Sequence, residues 1–412
     1  MKFRIYTFGC KTNQYDSEFL RRNFLQLMKE ADSDEKPDLI VVNTCSVTHI
    51  AERKARTLIR HLLNTYPEAK IIVTGCYAER SPDELERLGD IRVIGNMDKD
   101  KILDLFSINS SISSPDAGKG RRIRAFVKIQ DGCDDFCSYC IVPYVRGPVR
   151  SRSFEEIIGE IEQLVKFGYL EIVLTGIHIG KFESDGKSLP DLVRTISDNF
   201  PEIRRIRLSS LEPQEVNRDI IDLFKDVSNL CPHIHLVAQS GSNKVLRDMK
   251  RKYTREEFLS IIDDFRSVMK NIEFTTDIIV GFPTEEEEDF RDTISLIEEV
   301  GFVKVHIFPF SPRPGTEAFD LTPLDKKIVK EREELLKAVS LETAFNKLNK
   351  LVGNYVEILV ERYSDGMAAG LTPNYVRVYL NTIEPLKPGE IIKVKVNGVE
   401  KAKDSVVLRG VY

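Results

Sequence analysis

Gly132-Cys133-Asp134-Asp135-Phe136-Cys137-Ser138-Tyr139-Cys140 sets three thiols in a C-x3-C-x2-C loop. A structural zinc site wants four protein ligands, whereas a cubane iron-sulfur cluster held by three thiolates keeps one iron free to bind something else. No other Cys or His stands close by in the sequence. The spacing therefore favours an iron-sulfur cluster, with zinc or a redox pair as the alternatives.

The loop follows an apolar strand, Ile123 to Ile129, and from there a strand-helix unit recurs six times. The later strands are Glu171 to Leu174, Arg204 to Leu208, His233 to Val237, Glu273 to Val280 and Val303 to Phe308. The helix Phe154 to Phe167 is opened by Ser153 with Glu156 three residues on, and Glu285 to Val300 by Thr284 with Glu287 three residues on. Such alternation predicts a parallel sheet with right-handed crossovers, whose strands share one ligand-binding edge at their carboxyl ends. Six units fall short of the eight of a closed barrel, so a splayed partial barrel is expected, open at its mouth and along one flank.

Three more cysteines are scattered but placed alike. Phe3 to Phe8 runs into Gly9-Cys10, Leu39 to Val42 into Asn43-Thr44-Cys45, and Ile71 to Val73 into Thr74-Gly75-Cys76. Helical patterns follow each: Ser17 to Glu30, Thr48 to Tyr66, and Pro82 to Leu88 behind a Ser81-x-x-Glu84 capping box. Strand ends of one parallel sheet share an edge, so Cys10, Cys45 and Cys76 are expected to converge, again one ligand short of a closed site.

Ser107 to Gly120 is serine- and glycine-rich and reads as a flexible linker. Asp325 to Lys350 reads as a long charged amphipathic helix. Beyond it, short strands (Tyr355 to Val360, Tyr375 to Leu380, Glu390 to Val396, Asp404 to Val411) between turn signals predict a small all-β barrel. The fold class is thus α/β, with an N-terminal parallel α/β sandwich domain over residues 1–108, a central six-unit partial barrel over 121–345 and a C-terminal β-barrel over 350–412.

The chain has 412 residues and a net charge of −5. No apolar run approaches the roughly 18 residues of a membrane span, and Met1-Lys2-Phe3-Arg4 leads straight into a strand. A reducing cytoplasm is the expected location, where clustered cysteines mean metal or redox work more often than disulfides. The acidic balance argues against wholesale coating of nucleic acid but leaves room for local basic patches. Arg121, Arg122, Arg124 and Lys128 precede the loop, Arg146, Arg150 and Arg152 follow it, and Lys250, Arg251 and Lys252 lie in a later run. Each run alone also fits a plain solvated face.

The cysteine loop, with Tyr139 before its last cysteine and on the first unit of a six-unit barrel, resembles the radical S-adenosylmethionine superfamily. The resemblance implies a 4Fe-4S cluster on Cys133, Cys137 and Cys140 whose free iron chelates the amino and carboxylate groups of S-adenosylmethionine. One electron, from a flavodoxin- or ferredoxin-type donor, then yields a 5′-deoxyadenosyl radical, and Tyr139 lies against the adenine. Gly176, Ser210, Glu212, Gln239, Ser240 and Gly281, at the ends of the following strands, would complete the cofactor site. Glycines there admit close backbone approach, and Glu212, Gln239 and Ser240 can hold ammonium and ribose groups, although each is also routine turn chemistry.

Gly9 to Glu18, Asn43 to Thr48, Thr74 to Ala78 and Ile141 to Gly147 together resemble the methylthiotransferases, a likeness that runs over essentially the whole chain and includes a TRAM-like terminal barrel. It implies an auxiliary 4Fe-4S cluster on Cys10, Cys45 and Cys76. Two S-adenosylmethionines serve each turnover, one methylating a sulfide from a separate sulfur source and one giving the radical. No residue is expected to act as acid or base, because an aromatic C–H has no acidic proton to remove. The Cys10-Lys11-Thr12-Asn13-Gln14-Tyr15-Asp16 block is most similar to enzymes acting at carbon 2 of threonylcarbamoyladenosine, 3′ of the tRNA anticodon. An isopentenyladenosine branch usually carries a Cys-Gln-Met-Asn form instead, and a ribosomal-protein branch Cys-Pro-Lys-Asn. The implied partner is a tRNA anticodon stem-loop, met by a monomer, with Arg146, Arg150, Arg152, Lys250, Arg251 and Lys252 tracking phosphates.

Two non-catalytic readings compete: an iron-sulfur RNA-binding protein with fully ligated clusters, and a zinc-stabilised RNA-binding protein. Two sets of three cysteines argue against both. Cys231 reads as a buried thiol. His233 and His235 are expected to face opposite sides of their strand, with neither a ligand, and His49, His61, His178 and His306 carry no separable signal.

Overall fold

The computed structural model of the chain describes residues 1–108 and 123–412. The linker expected over Ser107 to Gly120 therefore lies almost wholly outside the described residues, as do Arg121 and Arg122. The N-terminal sheet has five parallel strands in the order Lys29–Glu30, Lys2–Thr7, Leu39–Thr44, Lys70–Gly75 and Arg92–Val93. Its central strands are buried on both faces, as helices on either side of a parallel sheet demand. The helix Lys11–Phe24 packs Leu20 and Phe24 against Phe3, Leu39 and Val41, while His49–Thr65 packs Ala55, Ile59 and Leu62 against Ile40, Val42 and Val73. Each of the larger of these side chains contributes roughly 1.5–3 kcal/mol on burial, and Ala55 less.

The first helix departs from the sequence expectation. It begins at Lys11, six residues before Ser17, and has ended by the short strand Lys29–Glu30. Gly9 has φ +97°, which turns the chain so sharply that Cys10 is already the N-cap. Two expected capping boxes also fail: Ser81 makes no side-chain cap, and the helix Glu287–Val300 is capped by Glu286 with Asp289 while Thr284 bonds Asp248.

The central domain is the expected splayed barrel. Arg205–Leu208, Glu171–Thr175 and Arg124–Lys128 form one parallel sheet, and Ser210–Leu211, His233–Leu236, Glu273–Val280 and Lys304–Pro309 the next. A bridge from Ile206 to Leu230 and the run-on from Leu208 to Ser210 join the two sheets. The outer strands Arg124–Lys128 and Lys304–Pro309 do not pair, so the barrel stays open on that side. The N-terminal domain lies beside the open edge: Asp16 accepts from Lys128 and Lys99 at 2.6 Å each, and Glu160 accepts from Tyr15 at 2.9 Å and Arg152 at 2.7 Å.

The C-terminal domain is a closed five-stranded barrel of Tyr355–Ser364, Met367–Leu371, Arg377–Asn381, Val406–Val411 and Ile391–Lys401. Met367–Leu371 was not expected from sequence, because Ala and Gly carry little strand signal. Gly370 is needed there: an added Cβ would stand 2.6 Å from the Leu359 carbonyl. The loop after this strand seals the amino-terminal end of the partial barrel, where Arg205 donates to the Leu371 carbonyl and Arg207 to that of Pro373, at 2.9 and 2.8 Å. Asn374 donates to the Pro232 and Asn271 carbonyls. Ligands must therefore enter from the opposite mouth.

Candidate active site

The loop bearing Cys133, Cys137 and Cys140 leaves the barrel from Gln130–Asp131. Gln130 anchors it, donating to the Asp131 and Gly132 carbonyls at 2.8 Å and accepting from the Ile177 and His178 amides at 2.9 and 2.7 Å. Gly132 has φ +79°, and a Cβ there would stand 1.9 Å from the Pro148 carbonyl, so this turn into Cys133 requires glycine.

Two of the three sulfurs have polar side-chain neighbours. Cys133 Sγ lies 3.1 Å from His178 Nε2 and accepts from the Asp135 amide at 3.3 Å, while Cys137 Sγ accepts from Arg251 Nη1 at 3.3 Å. Burial would lower the His178 pKa, but its bonds to Cys133 and to Glu215 raise it to about 9. The ring is thus an imidazolium that donates to both partners. Burial first, then Cys137, pushes the Cys140 thiol up to about 12.

The second set also assembles. Cys10, Cys45 and Cys76 meet at the carboxyl edge of the N-terminal sheet, where burial first, then Cys76, pushes the Cys45 thiol up to about 12. Gly9 packs on Cys45 so closely that a Cβ would meet its Cβ at 2.8 Å, and Gly75, with φ +94°, lies against the Thr44 backbone. Asn13 staples the edge, donating to the Phe8 and Thr44 carbonyls at 2.8 and 2.9 Å.

The two sets face each other. Cys76 packs against Ile141 and Val145, which follow Cys140 in the chain. Arg146 spans the junction, donating to Asp131 at 2.7 Å and to Asn13, while its charge offsets part of the burial that raises the Cys76 thiol. All seven cysteines, Cys231 included, are free.

Thiolates about 2.3 Å from one tetrahedral ion crowd to roughly 4 Å from each other. Neither cysteine set is that tight: among the described residues only His235, Asp277 and His306 bring three ligand atoms within 4.8 Å of one another. The wider triangles suit the corners of a cubane. Among the strand-end residues expected at the cofactor, Gln239 offers an open acceptor: its Oε1 is buried with no hydrogen-bond partner among the described residues, on a backbone held at φ +62°.

The other expected residues divide. Tyr139 is half-buried against Val245, Met249 and Phe282, Ser210 stands half-buried on its strand, and Glu212 accepts from Arg251. Ser240 turns instead onto the outer helix, where its hydroxyl lies 3.4 Å from that of Thr293. The tight approaches at Gly176 and Gly281 are to Gln130 and Val329, so both glycines serve packing. Arg146 and Arg251, expected on RNA phosphates, are buried beside the cysteines, and Arg152 is tied to Glu160. Thiolates collected in one place need such counter-charge, which a run of basic residues in sequence does not reveal. Arg150, Lys250 and Lys252 remain at the surface.

His233 and His235 correct another expectation. Both rings contact Thr275 Oγ1, at 3.0 and 2.9 Å, and so share one face, as residues two apart in a strand do. Sequence reading also missed His178 and Glu215, whose only signal is that each follows a strand end. Phe136, 57 % exposed, and Tyr144, 54 % exposed, make an edge-to-face pair beside the loop with centroids 5.6 Å apart.

Comparison with known proteins agrees with this architecture. The radical SAM superfamily profile matches residues 127–297, and that of uncharacterized protein family UPF0004 matches residues 2–95. Threonylcarbamoyladenosine tRNA methylthiotransferase MtaB of Chlamydia pneumoniae is 36 % identical, over 97 % of this chain and 96 % of its own. The tRNA-2-methylthio-N(6)-dimethylallyladenosine synthase of Thermodesulfovibrio yellowstonii is 34 % identical over 95 % of each chain. The radical S-adenosylmethionine methyltransferase TsrM of Kitasatospora setae, solved with tryptophan and an S-adenosylmethionine analogue, shares the fold at a TM-score of 0.60 and 13 % identity, covering 84 % of this chain and 90 % of that one. No helix among the described residues is long and apolar enough to cross a membrane.

Proposed function

This chain belongs to the tRNA methylthiotransferases of the radical S-adenosylmethionine superfamily, and we propose that it adds a methylthio group to carbon 2 of N6-threonylcarbamoyladenosine beside the anticodon. When bound, the 4Fe-4S clusters and S-adenosylmethionine supply radical hydrogen abstraction and a methylated sulfur, which an aromatic C–H with no acidic proton requires. Cys133, Cys137 and Cys140 hold the cluster that binds S-adenosylmethionine, and Cys10, Cys45 and Cys76 the auxiliary one. The observation that carries this reading is the meeting of two open three-cysteine sets across Arg146, Ile141 and Val145.

Around them the chain's own residues bind and orient. Gln239 and Glu212 offer acceptors to the polar end of S-adenosylmethionine, and Tyr139 offers its adenine an apolar wall. Phe136 and Tyr144 give unstacked loop bases a place to stack, with Arg150, Lys250 and Lys252 near enough to the rim for phosphates. A flavodoxin- or ferredoxin-type donor supplies the electron, a separate source supplies sulfur, and the enzyme works as a monomer in the cytoplasm.

Nucleoside mass spectrometry of tRNA from cells with and without the protein tests the assignment. Loss of the methylthio form of threonylcarbamoyladenosine is expected; loss of the isopentenyl analogue instead would overturn the substrate. Anaerobically reconstituted protein should hold about eight irons per chain, and about four would remove the auxiliary cluster.

A further inference from the structure

Below the cysteines, the interior of the partial barrel holds two lysines, Lys11 and Lys304, whose ammonium groups form no ion pair among the described residues; burial pulls the Lys11 pKa down, and the Tyr375 ring and the Asp277 charge only partly oppose it. Lys11, the residue after Cys10, is half-buried, and its ammonium forms no hydrogen bond or ion pair among the described residues; the Tyr375 ring centroid is 5.9 Å from Nζ. That is the outer limit of a cation–π contact and holds an ammonium weakly. Tyr375 comes from the loop that seals the amino-terminal end, stacked on His233 at 4.6 Å. Lys304 lines a cavity of about 110 Å³ beside the same ring and likewise forms no ion pair among the described residues. Burial would raise the Tyr375 phenol, yet Lys11, Arg124, Arg207 and Lys304 bring it below its ordinary value, a sign of net positive surroundings.

The acids nearby have hydrogen-bond or ion-pair partners of their own, although the Asp277 charge also reaches Lys11. Glu171 accepts from Arg207 at 3.1 Å, and Asp277 faces His235 Nε2 at 3.3 Å. The His306 ring, beside Asp277, has no hydrogen-bond partner among the described residues and is held neutral, at about 4, chiefly by burial. His235, Asp277 and His306 could chelate a divalent ion by geometry, but Lys11 and Lys304 would repel a cation there. The same pair of ammonium groups suits an anion.

We infer that Lys11 binds the carboxylate of the threonylcarbamoyl group and so selects this substrate over an uncharged N6 substituent. The inference rests on the substrate reading above. The ring carbon that receives sulfur must lie against the Cys10 set, and Lys11 is next in the chain. In threonylcarbamoyladenosine the ureido N–H can bond ring N1, which folds the carboxylate toward the same edge of the base as carbon 2. An apolar N6 chain would leave the Lys11 ammonium without a counter-charge and desolvate it.

Stem-loop RNAs carrying N6-threonylcarbamoyladenosine, its glycine analogue, or the uncharged methylamide of the threonine carboxyl test this on the reconstituted full-length enzyme. The glycine analogue should react like the parent, and the methylamide should show KM raised at least about tenfold. Lys11→Met should bring the acid-to-amide ratio close to one while iron and sulfide content stay at the wild-type level, and Lys11→Arg should retain most of the preference. A wild-type enzyme that handles acid and amide equally would overturn the inference without any variant, as would a Lys11→Met enzyme that keeps the wild-type ratio. No turnover of any threonylcarbamoyl RNA, with the isopentenyl RNA accepted, would sink the substrate reading and this inference together.

Discussion

The two cysteine sets are built by opposite means. Cys133, Cys137 and Cys140 lie within one loop, so covalent connection alone keeps them near each other, and a polar shell tunes them: His178, Glu215, Asp135 and Arg251. Cys10, Cys45 and Cys76 come from three strand ends and meet only if the whole parallel sheet forms in register, Phe3 on Leu39 and Leu39 on Lys70. Their shell is mostly backbone and amide, with Asn13 and Asn43 tying adjacent strand ends together. A local set depends on spacing, a dispersed one on fold, and the two should fail differently.

The largest expected effect separates them by reaction. Cys133→Ala should abolish both methylthiolation and reductive cleavage of S-adenosylmethionine, each by about 10³-fold or more. Cys76→Ala should abolish methylthiolation equally but leave 5′-deoxyadenosine formation measurable, with iron near half of the wild-type content in both variants. If Cys76→Ala stopped cleavage too while keeping half its iron, the division of labour between the sets would be wrong.

Both modes were legible in the sequence, for different reasons. The loop announces itself by spacing, and the dispersed set by the recurrence of a cysteine after each apolar strand. Three of the six cysteines follow a glycine of positive φ, Gly9, Gly75 and Gly132, and that pair is visible in the chain. What stayed hidden is what tertiary contact decides. His178 and Glu215 are 37 residues apart on separate units, so nothing local marks them as partners. Arg146 and Arg251 look like surface charge until the fold buries them beside thiols. Ser240 misled because a turn at a strand end can aim a hydroxyl at either layer, and here it faces the helix.

The polar shell of the loop provides a middle-sized test. An imidazolium held by Glu215 donates to Cys133 and stabilises negative charge on that sulfur. His178→Leu should cut activity by roughly 10- to 100-fold, as loss of a metal ligand's outer partner commonly does. It should also lower the reduction potential of the loop cluster, read by spectroelectrochemistry, since an uncompensated thiolate disfavours added charge. The auxiliary cluster's spectrum should not move, and if both centres shifted alike, His178 would be supporting the fold rather than one sulfur.

The smallest effect concerns the rim, which the loop set has and the dispersed set lacks. Phe136 sits between two cysteines of the loop and Tyr144 just beyond the third, both exposed and in edge-to-face contact. Soluble proteins seldom leave two large rings together in water without use, and aromatic faces stack on unpaired bases for about 1–3 kcal/mol each. Phe136→Ala and Tyr144→Ala should each raise the KM for a stem-loop RNA by about tenfold. Cleavage of S-adenosylmethionine measured without RNA should stay near wild type, because both rings are more than half exposed. A fall in RNA-free cleavage matching the loss with RNA would mean that the rings brace the loop, and the docking surface would then have to lie among Arg150, Lys250 and Lys252 alone.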